Sequence, residues 1–308
     1  MNKKIAIVIP VCNEKGNVPL IIHQLCTEMD ALPYQYSITF VDDGSNDGTK
    51  DVLKEEAQQR NNIFYISLSR NFGHQNALKA GLDTSNADAV ITMDGDLQHP
   101  PTLLPELIKH WEAGNDIVYT IRKDHQEIPM MKRKTSNMFY GLMNRLSDIE
   151  LEAGTADFRL MDKRVVDICR TFSEMDLFWR GLVKWIGFTQ VGIEYEPAER
   201  KYGESKYTYK KMMQLALRGI TSFSIKPLSI AIYLGFTFSL LSLLYIPYVL
   251  YSMYFGHTIN GWASVIVTIA FFGGLQLMIL GIIGMYLGKL FIQSKQRPHY
   301  VIKESNLS

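Results

Sequence analysis

The chain has 308 residues, enough for one large domain or two smaller ones. Its formal net charge of +1 gives no electrostatic reason to expect a nucleic-acid partner, and its three cysteines have neither disulfide nor metal-site spacing. The charged residues are distributed unevenly, because no Asp, Glu, Lys or Arg occurs from position 228 to 288. We therefore expect a soluble domain in a reducing compartment, followed by a membrane segment.

Short apolar runs alternate with helical spacing in the first 121 residues. The runs predict strands at Ile5–Ile9, Ser37–Val41, Ile63–Leu68, Ala89–Met93 and Asp116–Ile121. The spacing between them predicts helices over Gly16–Met29, Lys50–Arg60 and Pro100–Ala113. A further helix is predicted after the Arg70–Asn76 segment and ends at Leu82. This alternation predicts an α/β fold with a mostly parallel, doubly wound sheet.

An acidic loop, Asp94-Gly95-Asp96-Leu97-Gln98-His99, follows the fourth predicted strand directly. Open α/β sheets bind their ligands at the carboxyl ends of strands. The Asp96 carboxylate and the Gln98 carbonyl are hard oxygen donors, which suit Mg²⁺ or Mn²⁺ together with substrate phosphates. Taken alone, an Asp-x-Asp pair is more often a polar turn, so the metal site depends on the other loops.

The middle of the chain carries two basic amphipathic segments. The first, Ile128–Leu146, is typical of a membrane-surface or partner-binding helix, or of a helix with a solvated basic face. Leu177–Gly187 has helical spacing and Thr189–Glu194 resembles a strand. A polar loop at Arg200–Tyr207 then leads into the second amphipathic segment, which ends at Phe223.

Two apolar runs, Leu228–Met253 and Trp262–Leu287, have the length of transmembrane helices. Lysines and arginines flank their outer ends and are absent between them, which predicts that the preceding soluble part and both termini are cytoplasmic and that the short loop between the runs lies outside. A buried hydrophobic hairpin is the alternative. Glycines in the second run, including Gly284 and Gly288, are compatible with a homo-oligomer.

The expected organisation has four parts. Residues 1–200 form the cytoplasmic nucleotide-binding domain, and residues 201–227 form a phosphate-binding loop with a juxtamembrane helix. Residues 228–288 hold two transmembrane helices, about 228–253 and 262–287, and residues 289–308 form a cytoplasmic tail. The expected location is the plasma (inner) membrane, with a multi-pass topology.

Four polar loops are expected to converge at one end of the sheet. Three of them follow strands, at Pro10–Glu14, Asp42–Thr49 and Asp94–His99, and the fourth is the basic loop at Arg200–Lys206. Short polar groups suit a base and ribose, while Arg and Lys suit phosphate. Together the loops predict a site for a nucleoside diphosphate with a divalent ion.

At these loops the chain resembles glycosyltransferase family 2, and within it the polyprenyl-phosphate glycosyltransferases, which include dolichol-phosphate mannose synthase and bacterial lipid-linked glucosyltransferases. The motifs that carry the resemblance are Pro10–Glu14, Val41–Ser45, Arg70–Gly73, Met93–Pro100, Asp157–Leu160 and Arg200–Tyr207. Cys12 departs from the Tyr that is common in the family. The Gln-x-x-Arg-Trp motif of processive synthases is absent, which disfavours polysaccharide synthesis.

The resemblance implies a fold of the GT-A type and an inverting transfer from a nucleotide-sugar, by analogy UDP-glucose, to a polyprenyl phosphate. It implies nucleotide contacts by Pro10, Asn13, Glu14, Asp42, Asp94 and Lys206. It implies Mg²⁺ or Mn²⁺ ligands at Asp96 and Gln98. It implies phosphate contacts by Arg122, Arg133, Arg200 and Lys206, with Arg122 and Arg133 on the acceptor.

Asp157 is a candidate base or acceptor-orienting group, or else a structural partner of Arg159. The resemblance also implies a homo-oligomer, with a flippase as a further expected partner. Two other function classes stay open at this point. One is a membrane glycosyltransferase that acts on a hydroxyl or makes a polysaccharide, and the other is a non-enzymatic membrane module.

Overall fold

The computed structural model describes residues 3–123, 152, 154–196, 221, 224–255 and 261–307. Within them the strands are β1 Lys4–Val11, β2 Gln35–Asp42, β3 Ile63–Leu68, β4 Ala89–Thr92, β5 Ile117–Arg122, β6 Thr155–Asp162, β7 Gln190–Tyr195 and β8 Ile302–Ser305. The helices are α1 Val18–Asp30, α2 Thr49–Gln59, α3 His74–Thr84, α4 Leu104–Glu112, α5 Lys163–Thr171, α6 Trp179–Trp185, α7 Lys226–Tyr254 and α8 Trp262–Ser294.

The eight strands form one sheet in the order β7-β5-β6-β4-β1-β2-β3-β8. Strand β1 pairs in parallel with β2 and β4, β2 pairs in parallel with β3, and β5 pairs in parallel with β7. Strand β6 is antiparallel to both β4 and β5, and β8 is antiparallel to β3. The predicted α/β class with a mostly parallel sheet is confirmed.

Helices cover both faces of the sheet, so strand β1 is buried from Ile5 to Val11. Ile5, Ile7 and Ile9 pack in the core that also holds side chains of α1, α2 and α4. Ala6 and Val8 point the other way, into the core that holds side chains of α3, α5 and α6. The two-residue period of a strand thus supplies both cores from one continuous apolar run.

Three elements between β4 and α6 differ from the sequence predictions. The helix expected at Pro100 begins with a 3₁₀ turn at Pro101–Leu103 and becomes α-helical at Leu104. Strand β6 and helix α5 were not predicted, because β6 carries charged residues at positions that are buried in the sheet. Asp157 and Arg159 pair with each other, and Asp157 also needs Arg180 and His74 from other elements, which a local pattern does not reveal.

Helices α7 and α8 contain two segments that are long and apolar enough to cross a membrane. Lys226–Leu244 has a mean hydropathy of 1.8 and Ser264–Ser294 has a mean hydropathy of 2.3. Almost none of either segment is buried inside the protein. A buried hydrophobic hairpin would be covered by other elements, so this alternative prediction is wrong.

The end of the chain packs on the catalytic domain. Helix α8 continues to Ser294, beyond the predicted end at 287, and strand β8 extends the sheet beside β3. The Glu304 carboxylate of β8 lies 2.6 Å from the ammonium groups of both Lys50 and Lys54. The residues predicted as a tail therefore include an edge strand of the sheet.

Candidate active site

The loops after β1 and β2 are joined by hydrogen bonds at the carboxyl edge of the sheet. Asn13 has a positive φ of 60° and donates its backbone N–H to Ser45 Oγ at 2.9 Å. Asn13 Oδ1 accepts from the backbone N–H of Asn46 at 2.9 Å, and Glu14 donates its backbone N–H to Thr49 Oγ1 at 3.0 Å. These bonds hold the predicted nucleotide residues of the two loops next to each other.

Two aspartates at the end of β2 hold neighbouring loops in place. The buried Asp42 carboxylate accepts a hydrogen bond from the Ser67 hydroxyl at 3.0 Å. Asp43 accepts from the backbone N–H groups of Phe72 at 2.6 Å and Gly73 at 2.9 Å, directly before helix α3. Burial raises the pKa of Asp43, and these two donors oppose that rise. Both carboxylates thus have structural partners, and the nucleotide contact of Asp42 stays a prediction.

The Asp94–His99 loop bends sharply against strand β1. A Cβ on Gly95 would lie 2.7 Å from Val11 Cγ1, so this position requires glycine. Leu97 has a positive φ of 62°, which reverses the chain. Asp96 Oδ1 accepts a hydrogen bond from the backbone N–H of Gln98 at 3.1 Å, which closes the turn. Asp96 and Gln98 therefore lie on one tight turn.

Two histidines flank Asp94. The backbone N–H of Asp94 donates to His99 Nδ1 at 3.0 Å, and the His99 ring stacks on Phe158 with centroids 5.1 Å apart. His74, the first residue of α3, places Nε2 3.3 Å from Asp94 Oδ1. That oxygen is buried and accepts no hydrogen bond within the described part of the chain.

The charge of Asp157 is compensated by basic side chains. Asp157 is buried in β6, where the Arg159 guanidinium lies 3.1 Å from Oδ1. Arg180 of α6 donates to Oδ1 and Oδ2 at 3.2 Å each, and His74 Nε2 lies 3.7 Å from Oδ2. Burial acts to raise the pKa of Asp157, but Arg180, His74 and Arg159 together hold it well below its usual range. A carboxylate in this setting is a weak base.

Tyr195 connects the acidic loop with the basic side chains. Its side chain is buried, and its pKa is raised to about 12, mainly by burial. Its ring meets that of His99 in the acidic loop edge-on, with centroids 6.0 Å apart, and Tyr195 pairs with Arg122 in the register of β5 and β7. The exposed Arg122 at the end of β5 thus belongs to the same edge of the sheet as the acidic loop.

Most of the predicted site residues lie at this carboxyl edge. The edge holds Pro10, Asn13, Glu14, Asp42, Asp94, Asp96, Gln98, Arg122 and Asp157. Arg133, Arg200 and Lys206 lie outside the described residues, as do the segments around 128–146 and 200–220. His74 and Arg180 were not predicted, although His74 directly follows a motif that carries the family resemblance.

The residues of the acidic loop fit a divalent ion that completes its coordination with substrate oxygens. Among the described residues, no group of three or more His, Cys, Asp and Glu side chains is arranged to hold a metal. The predicted ligands on this turn are the Asp96 carboxylate and the Gln98 carbonyl, and beside them one buried Asp94 oxygen has no hydrogen-bond donor among the described residues. Such a partial donor set suits Mg²⁺ or Mn²⁺ bound together with phosphates.

The sequence profile described as glycosyl transferase family 2 matches residues 6–169, which contain most of β1, all of β2 to β6 and the acidic loop. The chain belongs to this family. A bactoprenol glucosyl transferase of Shigella phage SfV is 40% identical over 97% of this chain and 98% of its own. The uncharacterized glycosyltransferase YkcC of Bacillus subtilis (strain 168) is 41% identical over 97% of this chain and 93% of its own.

A solved structure supports the fold. Mannosyl-3-phosphoglycerate synthase from Rubrobacter xylanophilus superimposes with a TM-score of 0.52 at 18% identity, over 71% of this chain and 73% of its own. The chain therefore has the GT-A type of α/β fold that the family resemblance implied. At this level of identity the likeness concerns the fold alone.

Proposed function

We propose that this enzyme transfers glucose from UDP-glucose, with inversion, to a polyprenyl phosphate in the cytoplasmic leaflet of the plasma (inner) membrane. Relatives of nearly the same length carry the name bactoprenol glucosyl transferase, among them those of Shigella phages SfV and SfII. The similarity covers 97% and 98% of this chain, and therefore reaches both apolar helices as well as the catalytic domain. This supports an acceptor that is itself a membrane lipid.

The environment of Asp157 is the observation that carries the proposal. A hydroxyl acceptor must lose a proton, and a general base contributes about 10²–10⁴-fold to such a step. Asp157, paired with two guanidinium groups, is poorly suited to that task. A phosphate monoester has a second pKa of about 6, so at neutral pH it is mostly dianionic and needs no base. The site therefore favours a phosphate acceptor.

Several residues would hold the donor. Pro10, Asn13, Glu14, Asp42 and Asp94 would contact the nucleotide, and Arg200 and Lys206 would contact its phosphates. Asp96 and Gln98 would hold Mg²⁺ or Mn²⁺, which when bound offsets the negative charge that develops on the leaving diphosphate. Arg122 and Arg133 would bind the phosphate of the acceptor through charge-assisted hydrogen bonds.

The transfer then needs one displacement. An oxygen of the acceptor phosphate attacks the anomeric carbon from the face opposite the diphosphate. The new C–O bond forms as the old one breaks, and UDP leaves with the bonding electron pair. Asp157 orients the acceptor side of the site through Arg180 and takes no proton. The product is a lipid-linked monosaccharide with inverted configuration.

The membrane helices would hold the active site at the bilayer surface. Lysines and arginines flank the outer ends of α7 and α8, which supports cytoplasmic termini. We also propose a homo-oligomer, because a Cβ on Gly281, Gly284 or Gly288 of α8 would contact nothing within 4 Å, which leaves this helix face available to a second copy. A flippase that moves the product across the membrane is a further expected partner.

The transfer reaction can be tested with radiolabelled UDP-glucose and the full chain in nanodiscs. Polyprenyl phosphate and free polyprenol are supplied in parallel, with Mg²⁺ or Mn²⁺ and with a chelator as control. We expect label to enter an organic-extractable, mild-acid-labile product only with polyprenyl phosphate and metal. Equal labelling of polyprenol, or a product that grows into a polymer, would reject the proposal.

A further inference from the structure

The His74 imidazole lies between two carboxylates that serve different halves of the site. Its Nε2 atom is 3.3 Å from Asp94 Oδ1 and 3.7 Å from Asp157 Oδ2. One N–H group cannot make a full hydrogen bond to two acceptors at once. The ring is therefore placed to be shared between the acidic loop and Asp157.

The backbone around His74 is fixed from two sides. Asp43 accepts hydrogen bonds from the backbone N–H groups of Phe72 and Gly73, the two residues that precede His74. The next residue, Gln75, accepts from the backbone N–H of Trp179 at 3.0 Å and from its indole N–H at 2.9 Å. Trp179 directly precedes Arg180, so the turn that holds His74 also positions the arginine that contacts Asp157.

The two carboxylates depend on His74 to different degrees. Asp157 keeps two guanidinium partners if the imidazole moves away, whereas the buried Asp94 Oδ1 has no hydrogen-bond donor among the described residues. Without a ligand, the shorter distance favours Asp94. A ligand that satisfies Asp94 removes that preference. The two carboxylates also raise the pKa of His74 against the lowering effect of burial, which keeps the ring a good donor.

We propose that His74 is a positioning residue that couples donor binding to Asp157. Its Nε2 atom lies within ion-pair distance of both Asp94 and Asp157, and its N–H turns fully to Asp157 when the nucleotide engages Asp94. This inference rests on the proposed function, because it takes Asp94 as a nucleotide contact. The acceptor side of the site is then completed only after the donor has bound.

A mutant cycle on nucleotide affinity tests the coupling without relying on activity. The dissociation constant of UDP with Mn²⁺ is measured by calorimetry on the full chain in nanodiscs, for wild type, Asp157→Asn, His74→Ala and the double variant. With His74 present, Asp157→Asn replaces a charged acceptor with a weaker neutral one, so the imidazole stays closer to Asp94, where it competes with the nucleotide. We expect this variant to raise the Kd about 2- to 10-fold, the equivalent of one hydrogen bond.

The His74→Ala background separates a shared hydrogen bond from a long-range charge effect. Without the imidazole, Asp157→Asn only removes a negative charge near the diphosphate site, so its Kd should stay the same or fall. His74→Gln, which keeps an N–H, should restore part of the rise. His74→Leu fills the space of the ring and replaces the alanine variant if that variant does not fold. The exposed His23→Gln on α1 is the matched control.

Two outcomes would overturn the inference. One is an equal change in Kd on Asp157→Asn with and without His74, which would indicate a charge effect alone. The other is an unchanged Kd in Asp157→Asn with His74 intact. A wrong donor gives a different result, because the wild-type chain would then not bind UDP with Mn²⁺, and a wrong acceptor is detected separately by the transfer assay with polyprenyl phosphate and polyprenol.

Discussion

Asp96 and Asp157 are the same side chain in two opposite settings. Asp96 lies partly exposed on a tight turn and accepts a hydrogen bond from a backbone N–H of its own loop. Asp157 is buried in a strand and pairs with two guanidinium groups of the protein. A carboxylate on a loop is suited to a ligand that brings positive charge, whereas a carboxylate already compensated by the protein is suited to hold geometry. Substitution of Asp96 should therefore mainly lower the transfer rate, whereas substitution of Asp157 should mainly lower the stability of the fold.

Asp96→Ala should give the largest effect. Loss of a metal ligand removes several kcal/mol of transition-state stabilisation, which corresponds to about 10³-fold or more in rate. Transfer from UDP-glucose to polyprenyl phosphate is measured over a range of Mg²⁺ and Mn²⁺ concentrations. Asp51→Asn, an exposed carboxylate on α2, is the control and should keep full activity. Wild-type activity of Asp96→Ala at saturating metal would remove the distinction between the two aspartates.

Asp157→Asn should have a smaller effect on turnover and a clear effect on stability. If Asp157 orients the acceptor, the rate should fall by less than about 10²-fold, the low end of the contribution of a true base. The buried Arg159 loses its charged partner, which costs up to about 3–5 kcal/mol in the free energy of unfolding. Turnover and thermal unfolding are measured beside Asp167→Asn, which removes an exposed ion pair with Arg170.

The same variant should change the acid stability of the protein. The pKa of Asp157 is lower in the folded chain than its usual value of about 3.9, so its stabilisation is present above that pH. As the pH falls through the lower folded pKa, this contribution is lost. Wild type should therefore approach the stability of Asp157→Asn only in strongly acidic solution. An equal stability of the two proteins at neutral pH would contradict this account.

Glu304→Gln should have the smallest effect and extends the comparison to a compensated carboxylate at the surface. Lys50 and Lys54 hold the pKa of Glu304 at about 2, and its stabilisation is lost as the pH falls toward that value. Exposed ion pairs contribute little and are screened by salt. We expect a small decrease in melting temperature at low salt that disappears at high salt. A large decrease would mean that strand β8 is essential to the sheet.

The strands that could be predicted are those whose buried residues form a continuous apolar run in the sequence. Strand β1 is apolar throughout because helices cover both of its faces. Strand β6 was missed because Asp157 and Arg159 interrupt its apolar pattern, although both are buried as a pair. Strand β8 has only four residues, and its place in the sheet depends on pairing with β3 from more than 230 positions away.

The candidate site was predictable where it lies on strand ends and missed where it depends on packing. The acidic loop follows a strand, so its position at the carboxyl edge follows from the parallel sheet. His74 and Arg180 lie in the first turns of separate helices, and the contact of α3 with α6 brings both to Asp157.

The most direct test of the central claim is the pH dependence of kcat/KM for polyprenyl phosphate in wild type and Asp157→Asn. If the acceptor phosphate is the nucleophile and Asp157 only orients the acceptor, kcat/KM should fall below about pH 6, because the phosphate then gains its second proton. That decline should keep the same midpoint in the variant, at a lower absolute rate. Disappearance of the acidic decline in Asp157→Asn would show that Asp157 is the group that titrates, and would contradict the account.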